Sequence, residues 1–233
     1  MQLFYSEIPI VNSCTLDEQE SRHAIKVLRL GAGDKLWVTD GTGMMFEGII
    51  RDPSARSCSL EIISSVPGND LRDYSMHIAI SPLKNPERFE WFVEKAVEIG
   101  IDEITPIICE HSEKSGIKQD RIEKIIITAM KQSLKTKKTI IHEPVKFAEF
   151  IVRREKGSRL IAHCHTGEKK NIAEIYKKGE NCTILIGPEG DFSLREVEAA
   201  TSEKYSPITL GPSRLRTETA GIAACHSIYF LNL

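Results

Sequence analysis

TILIGPEGD at 183–191 and PITLGPSRLRTETA at 207–220 decide how this chain is read. Each is a short apolar, β-branched run that stops at a Gly-Pro turn, the pattern of a buried strand delivering a tight loop. Working outward from them, similar runs lie at 76–80 (MHIAI), 104–108 (ITPII), 138–141 (KTII) and 159–163 (RLIAH). Helical periodicity fills several of the intervals. In 86–99, Phe89, Phe92, Val93, Ala96 and Val97 fall on one stripe before Gly100, and in 118–135 Ile122, Ile125, Ile126, Ala129 and Met130 do the same. Ser193 with Glu196 three residues on forms a capping box that opens a helix through Thr201, and a further helix begins near Thr217. Strands alternating with helices predict an α/β domain with a mostly parallel sheet and helices on both faces.

The first 70 residues read differently. DKLWVTD at 34–40, MFEGII at 45–50 and SCSLEIIS at 57–64 are β-rich runs, the first two joined through Gly41-Thr42-Gly43, which predicts hairpins of a small barrel or sandwich. One helix, 17–30, interrupts them. Pro67-Gly68-Asn69-Asp70 reads as a linker, so the organisation expected is one domain over 1–70 and a second over 71–233.

Composition narrows the function classes. With 41% hydrophobic and 27% charged residues the chain is neither disordered nor membrane-embedded, and no stretch approaches the roughly 18 apolar residues of a membrane span. No membrane partner is expected. Six cysteines without a CxxC pair argue against a zinc ribbon or a disulfide framework and fit reduced thiols in the cytoplasm; the N-terminus carries no export pattern. A net charge of −2 gives no global nucleic-acid signature, so an anionic partner must be met by local patches. Two exist. Residues 21–33 hold Arg22, Lys26 and Arg29 beside His23 with no acid, and residues 111–139 hold eight cations against three acids. A solvated helix face and a phosphate track are both compatible with such a run.

In open α/β sheets the ligand crevice lies beyond the carboxyl ends of the strands. The loop 187–191 is neither a GxGxxG fingerprint nor a P-loop, which removes the common nucleotide-binding readings. Its glycines around Pro188 and Glu189 let backbone approach a ligand, although a plain β-to-α turn uses the same residues. Arg214 and Arg216 ahead of a helix could face an anion together with amides and hydroxyls, or could belong to a solvated loop. Two Gly-Pro turns at successive strand ends favour a shared crevice. His163-Cys164-His165 offers soft donors, but neighbours on a strand end alternate in direction and no further ligands cluster with them, so no metal is expected; His163 is read as lining the crevice.

IGPEGDFS-x-x-E at 186–196, LGPSRLRTETA at 210–220, KNPERFEWFVEKAVEIGIDEITP at 84–106 and HAIKVLRLGAGDKLWVTDGTG at 23–43 together resemble the 16S ribosomal RNA uridine-N3 methyltransferase family of the SPOUT superfamily. The resemblance spans nearly the whole chain. It implies a small N-terminal PUA-like β-barrel that binds RNA, a C-terminal α/β domain of SPOUT type ending in a trefoil knot, S-adenosylmethionine as cofactor, a homodimer, and 16S rRNA or the small ribosomal subunit as partner. Around the cofactor it places Ile186, Gly187, Pro188, Glu189, Gly190, Leu210, Gly211, Leu215, Arg216, Thr217 and Thr219, with His163 beside them. Arg216 is expected to favour the uridine anion, and Glu189 to hold the sulfonium or the substrate. Arg22, His23, Lys26, Arg29, Lys84, Arg88, Lys131 and Lys135 are expected to touch RNA. The sequence departs from the family at Asp191, where a glycine is common, and at Lys131 and Lys135, where an acid and an arginine are usual. Two other classes stay open at this point: a related methyltransferase acting on another RNA or on a ribose, and a non-catalytic RNA-binding assembly factor.

Overall fold

The computed structural model describes residues 1–153 and 156–233. The chain separates into two compact units, residues 1–71 with 127–138, and residues 72–126 with 139–233.

In the first unit β1 (Leu3–Tyr5), β2 (Ser13–Thr15), β3 (Lys35–Thr39), β4 (Met44–Asp52) and β5 (Ser59–Pro67) form one curled sheet in the order β1-β3-β4-β5-β2. Alternation along β3 and β4 turns Leu36, Val38, Phe46 and Ile50 inward, where they meet Phe4, Leu16 and Leu60. Two register shifts between β4 and β5 bend the sheet. The helix expected over 17–30 is shorter and broken: α1 (Glu18–Arg22), capped by the Asp17 carboxylate on the Glu20 N–H at 2.7 Å, runs into a π-helical turn over His23–Val27. Arg29 then takes a left-handed φ of 58°, so the periodicity could not continue to Leu30. Residues 67–70, read as a linker, are tied into this unit. The Asp70 carboxylate accepts the N–H groups of Thr136 and Lys137 at 2.9 and 3.1 Å, and Gly68 N–H donates to the Gly43 carbonyl at 2.9 Å.

The second unit is built on β6 (Met76–Ile80), β7 (Glu103–Ile108), β8 (Ile140–Ile141), β9 (Val145–Lys146), β10 (Ser158–Ala162), β11 (Lys170–Asn171), β12 (Cys182–Ile186) and β13 (Ser206–Thr209). The order is β11-β13-β10-β12-β6-β7-β8, with β9 also on β7, and every pairing is parallel. β6 and β12 are buried at every position, which explains their unbroken apolar sequence. The helices are α2 (Pro86–Ile99), α3 (Gln119–Gln132, whose last residues belong to the first unit), α4 (Phe147–Ile151), α5 (Ile172–Ile175), α6 (Leu194–Ser202) and α7 (Thr217–Leu231). Asn85 caps α2 through the Glu87 N–H, Pro86 opens it, and Gly100 ends it at φ 108°. The capping box of Ser193 and Glu196 is formed. One face of the sheet packs Ala79, Ile161 and Leu185 against Phe147, Phe150 and Phe192; on the other, α7 crosses α2 at Gly221, where an added Cβ would lie 2.6 Å from the Phe92 ring. The buried face of α7 is Gly221, Ala224, Cys225 and Ile228. Near the end of the same helix Phe230 is 63% exposed.

Candidate functional site

Three loops leaving the carboxyl ends of β10, β12 and β13 enclose a cavity of about 800 Å³. The loop after β12 is held from several sides. Gly187 lies so close to Phe192 that a Cβ would meet its ring and its backbone nitrogen at 3.1 Å. Asp191 closes the turn with its N–H on the Pro188 carbonyl at 2.9 Å and a left-handed φ of 66°, the conformation glycine adopts without cost. Its carboxylate accepts the N–H groups of Cys164 and Phe192, both at 2.8 Å, and its carbonyl accepts from His111 Nδ1 at 3.0 Å. Glu189 faces the cavity and accepts the Lys84 N–H at 3.1 Å.

The loop after β10 is fastened to the same segment. His165 Nε2 donates to the Phe192 carbonyl at 2.6 Å, and the Lys169 ammonium donates to the carbonyls of His163 and His165 at 3.1 and 2.7 Å. His163 differs: both ring nitrogens are buried, and neither has a partner among the described residues. Burial, assisted by the Lys169 charge and opposed by Asp191, pushes its pKa below the usual histidine range, so the imidazole is neutral at pH 7.

The loop after β13 is comparatively unattached. Gly211, at φ 115°, exchanges hydrogen bonds with the Thr209 hydroxyl at 3.1 and 3.2 Å. Arg214 and Arg216 are exposed, and among the described residues neither guanidinium has a partner. Arg216 is the N-cap of α7 and places no side-chain hydrogen bond on it, so the first-turn amides carry no side-chain cap.

Of the residues expected around a cofactor, His163, Ile186, Gly187, Pro188, Glu189, Gly190, Leu210, Gly211, Leu215, Arg216 and Thr217 all line this cavity. Thr219 lies instead on an adjoining cleft of about 580 Å³. His165, Lys169, Asp191 and Thr209 also line the cavity or its rim and were not anticipated. The position of Asp191 at the end of GPEGD was the available signal for one of them; the others depend on how three distant loops meet.

The cations behave unequally. Arg22, Lys26 and Arg29 are exposed, while His23 is half-buried with its ring 5.8 Å from that of Phe4. Lys131 is ion-paired with the buried carboxylate of Glu20, and Lys135 is partly covered. Lys84 reaches Glu113 at 2.9 Å, and the Arg88 guanidinium lies 3.9 Å from Glu218. One further cluster brings donor atoms of His77, Glu103 and His142 within 4.8 Å of one another. His77 Nε2 is hydrogen-bonded to the Thr105 hydroxyl at 2.8 Å and His142 Nε2 to Glu103 at 2.7 Å, and none of the three lines the cavity.

Residues 71–229 match the RNA methyltransferase domain family, and residues 16–63 match the RNA methyltransferase PUA domain. A ribosomal RNA small subunit methyltransferase E of Mesomycoplasma hyopneumoniae is 33% identical over 168 residues, covering 70% of this chain and 72% of that protein. The crystal structure of a probable rRNA-methyltransferase from Porphyromonas gingivalis superposes with a TM-score of 0.93 at 40% identity over 100% of this chain and 98% of that one. A Legionella pneumophila protein described as a methyltransferase, solved with bound cofactor SAM, superposes with a TM-score of 0.83 at 26% identity, covering 97% and 95%. The crevice, its two Gly-Pro loops and these likenesses agree: the chain belongs to the ribosomal RNA small subunit methyltransferase E family.

Proposed function

We propose that this protein transfers the methyl group of S-adenosylmethionine to N3 of a uridine in 16S ribosomal RNA of the small subunit. The observation that carries the reading is the cavity at the carboxyl ends of β10, β12 and β13, within the residues that match the RNA methyltransferase domain, which the held loop 187–191 lines together with an Arg216 that has no partner among the described residues. The residues fit the cofactor. Among the described residues His163 leaves two buried ring nitrogens unpartnered, residues 186–190 line the cavity, and Glu189 adds a carboxylate suited to a positive sulfur, beside an Asp191 carboxylate already engaged by two backbone N–H groups. When bound, S-adenosylmethionine supplies a methyl group activated by its sulfonium. A neutral His163 adds no repulsion against that charge.

N3 carries a proton on the Watson–Crick edge of uracil, so the base must be unpaired and turned out of its stack before it can react. As the proton leaves, charge spreads onto the flanking carbonyl oxygens. The Arg216 guanidinium, planar and without a partner among the described residues, stabilises that charge where it develops.

The rest of the molecule supports delivery of RNA to this point. In this reading residues 1–70 form a PUA-like β-barrel that grips RNA through Arg22, Lys26 and Arg29, and residues 71–233 form the methyltransferase domain, knotted at its C-terminal end. Lys131 acts in the first unit as the partner of Glu20 rather than as an RNA contact. The exposed Phe230 on α7 is the contact through which two copies pair as a homodimer. Six free cysteines support a reducing, cytoplasmic location. The test incubates the purified protein and labelled S-adenosylmethionine with small ribosomal subunits from cells lacking the gene, followed by nucleoside mass spectrometry. N3-methyluridine in 16S rRNA is the expected product. Label in a ribose, in transfer RNA or nowhere overturns the reading.

A further inference from the structure

We propose that the cleft of about 580 Å³ adjoining the cofactor cavity receives the uracil base, and that Glu218 accepts the N3 proton there. This rests on the methyltransferase reading and adds the two parts that it lacks, a seat for the base and a proton acceptor. The two cavities share Arg214, Leu215 and Arg216, so a base in one lies beside a methyl donor in the other. Glu218 is only 7% exposed, yet it lines the cleft, and its nearest cation, Arg88, stands 3.9 Å away, beyond hydrogen-bond length. It sits in the first turn of α7, two residues from Arg216. Trp91, 45% exposed, gives the same cleft a flat apolar wall on which a base can stack.

The donor pattern selects uracil. Its Watson–Crick edge reads acceptor, donor, acceptor through O4, N3–H and O2. Two guanidiniums and one carboxylate, from Arg88, Arg216 and Glu218, supply the complementary donor, acceptor, donor set. Cytosine, whose N3 is an acceptor and whose N4 is a donor, would set an acceptor against Glu218 and a donor against a guanidinium. In the step itself the N3–H bond breaks and its proton passes to the Glu218 carboxylate. The N3 electron pair forms the new bond to the methyl carbon, and the electrons of the breaking carbon–sulfur bond return to sulfur, which leaves neutral. No oxidant or metal enters the balance.

The test compares wild type with Glu218→Gln on small subunits whose RNA contains uridine or 5-fluorouridine, the latter with a more acidic N3–H. With uridine, single-turnover methylation by the variant falls about 100- to 1,000-fold while S-adenosylmethionine affinity stays within about twofold. With 5-fluorouridine the deficit shrinks to about tenfold or less, and the variant's rate on uridine climbs with pH more steeply than that of wild type. Equal deficits on both RNAs, or a wild-type rate in the variant, overturn the proposal. Should Glu218→Gln fail to fold, Trp91→Ala on the exposed wall decides it: RNA KM rises about tenfold with cofactor affinity unchanged if the base stacks there, and an unchanged KM rejects the cleft. Methylation by wild type is the control that separates the two readings, because its absence refutes the enzyme assignment while its presence with an indifferent Glu218 refutes only this inference.

Discussion

The loops 187–191 and 211–216 are built from similar residues at the ends of β12 and β13, which flank β10 in the sheet, yet they are held in opposite ways. In the first, Glu189 and Asp191 fasten the backbone to Lys84, Cys164 and His111, and Phe192 packs against Gly187. In the second, Thr209 and Gly211 bond only locally, and both arginines line the cavity exposed and without partners among the described residues. A wall fixed in advance suits a small ligand that binds the same way in every cycle, because little ordering entropy remains to oppose binding. A loop left uncommitted suits a group whose partner arrives with the substrate. Under the proposed function this divides the labour: 187–191 is the segment that would hold the cofactor, and 211–216 the one that would act on the base.

The largest expected effect comes from breaking the second half of that division. Arg216→Lys keeps the charge but loses the planar fork, so kcat falls about 100-fold or more while cofactor affinity moves by less than about threefold. Calorimetry for the cofactor and single-turnover assays for the rate separate the two. A variant that loses cofactor binding as severely as turnover would place Arg216 in the fixed wall instead.

Gly187→Ala makes the converse change. The new methyl must displace Phe192 or the strand end, since it would sit 3.1 Å from both the ring and the backbone of that residue. Cofactor affinity is expected to fall about tenfold, in keeping with an overpacking cost of roughly 1–3 kcal/mol, with kcat at saturating cofactor changed by less than about threefold. Unaltered affinity, measured by the same calorimetry, would show that the wall is softer than its contacts imply.

How much of this was legible beforehand follows from which interactions are local. The longer parallel strands β6, β7, β10, β12 and β13 and the helices α2, α6 and α7 were readable because burial leaves apolar runs and because Asn85, Gly100, Ser193 and Glu196 mark helix ends within a few residues, whereas the two-residue, largely uncovered β9 and β11 leave no such run. The three-residue strands Leu3–Tyr5 and Ser13–Thr15, and the single turns α4 and α5, are too short for any period to show. Within the site, the Gly-Pro loops announced themselves. The unpartnered His163, the Asp191 clasp and the pairing of Lys131 with Glu20 depend on groups 27 or more residues apart, a relation no pattern along the chain encodes. The break of the first helix into a π turn was hidden for the same reason, as Phe4 packs on His23 from outside the segment.

A smaller effect sharpens the contrast from the other unit. Lys26 and Arg29 are exposed cations with no role in the cavity. Lys26→Gln with Arg29→Gln should reduce the slope of log affinity for RNA against log salt by about one to two, leaving cofactor affinity unchanged. Lys131→Gln should instead leave the slope nearly as it is and lower thermal stability, because it strands the buried Glu20 carboxylate. A slope that responds to Lys131 and not to Lys26 and Arg29 would reverse the assignment of these cations.

The smallest effect concerns protonation of the fixed wall. Burial, with help from Lys169, holds the His163 pKa below 6.5, and Asp191 opposes the shift without cancelling it. A depressed histidine is neutral in the folded protein while the unfolded chain still takes up a proton near 6.5. Its contribution to stability is therefore full above that pH and is lost as the pH falls toward the folded pKa. The same proton would put a positive charge on the wall of a cavity that, in the proposed function, takes a cationic cofactor. Cofactor affinity should be level from pH 8 to 6.5 and should decline below, and the decline should vanish in His163→Gln, which cannot take the charge. NMR titration of the imidazole gives the direct check: a midpoint under 6.5 that moves lower still when the cofactor binds, since a cation nearby makes protonation harder. A midpoint at or above 6.5, or one that rises on binding, would mean that His163 meets an acceptor rather than the sulfonium, and the held wall would then have to present its cofactor in the opposite sense.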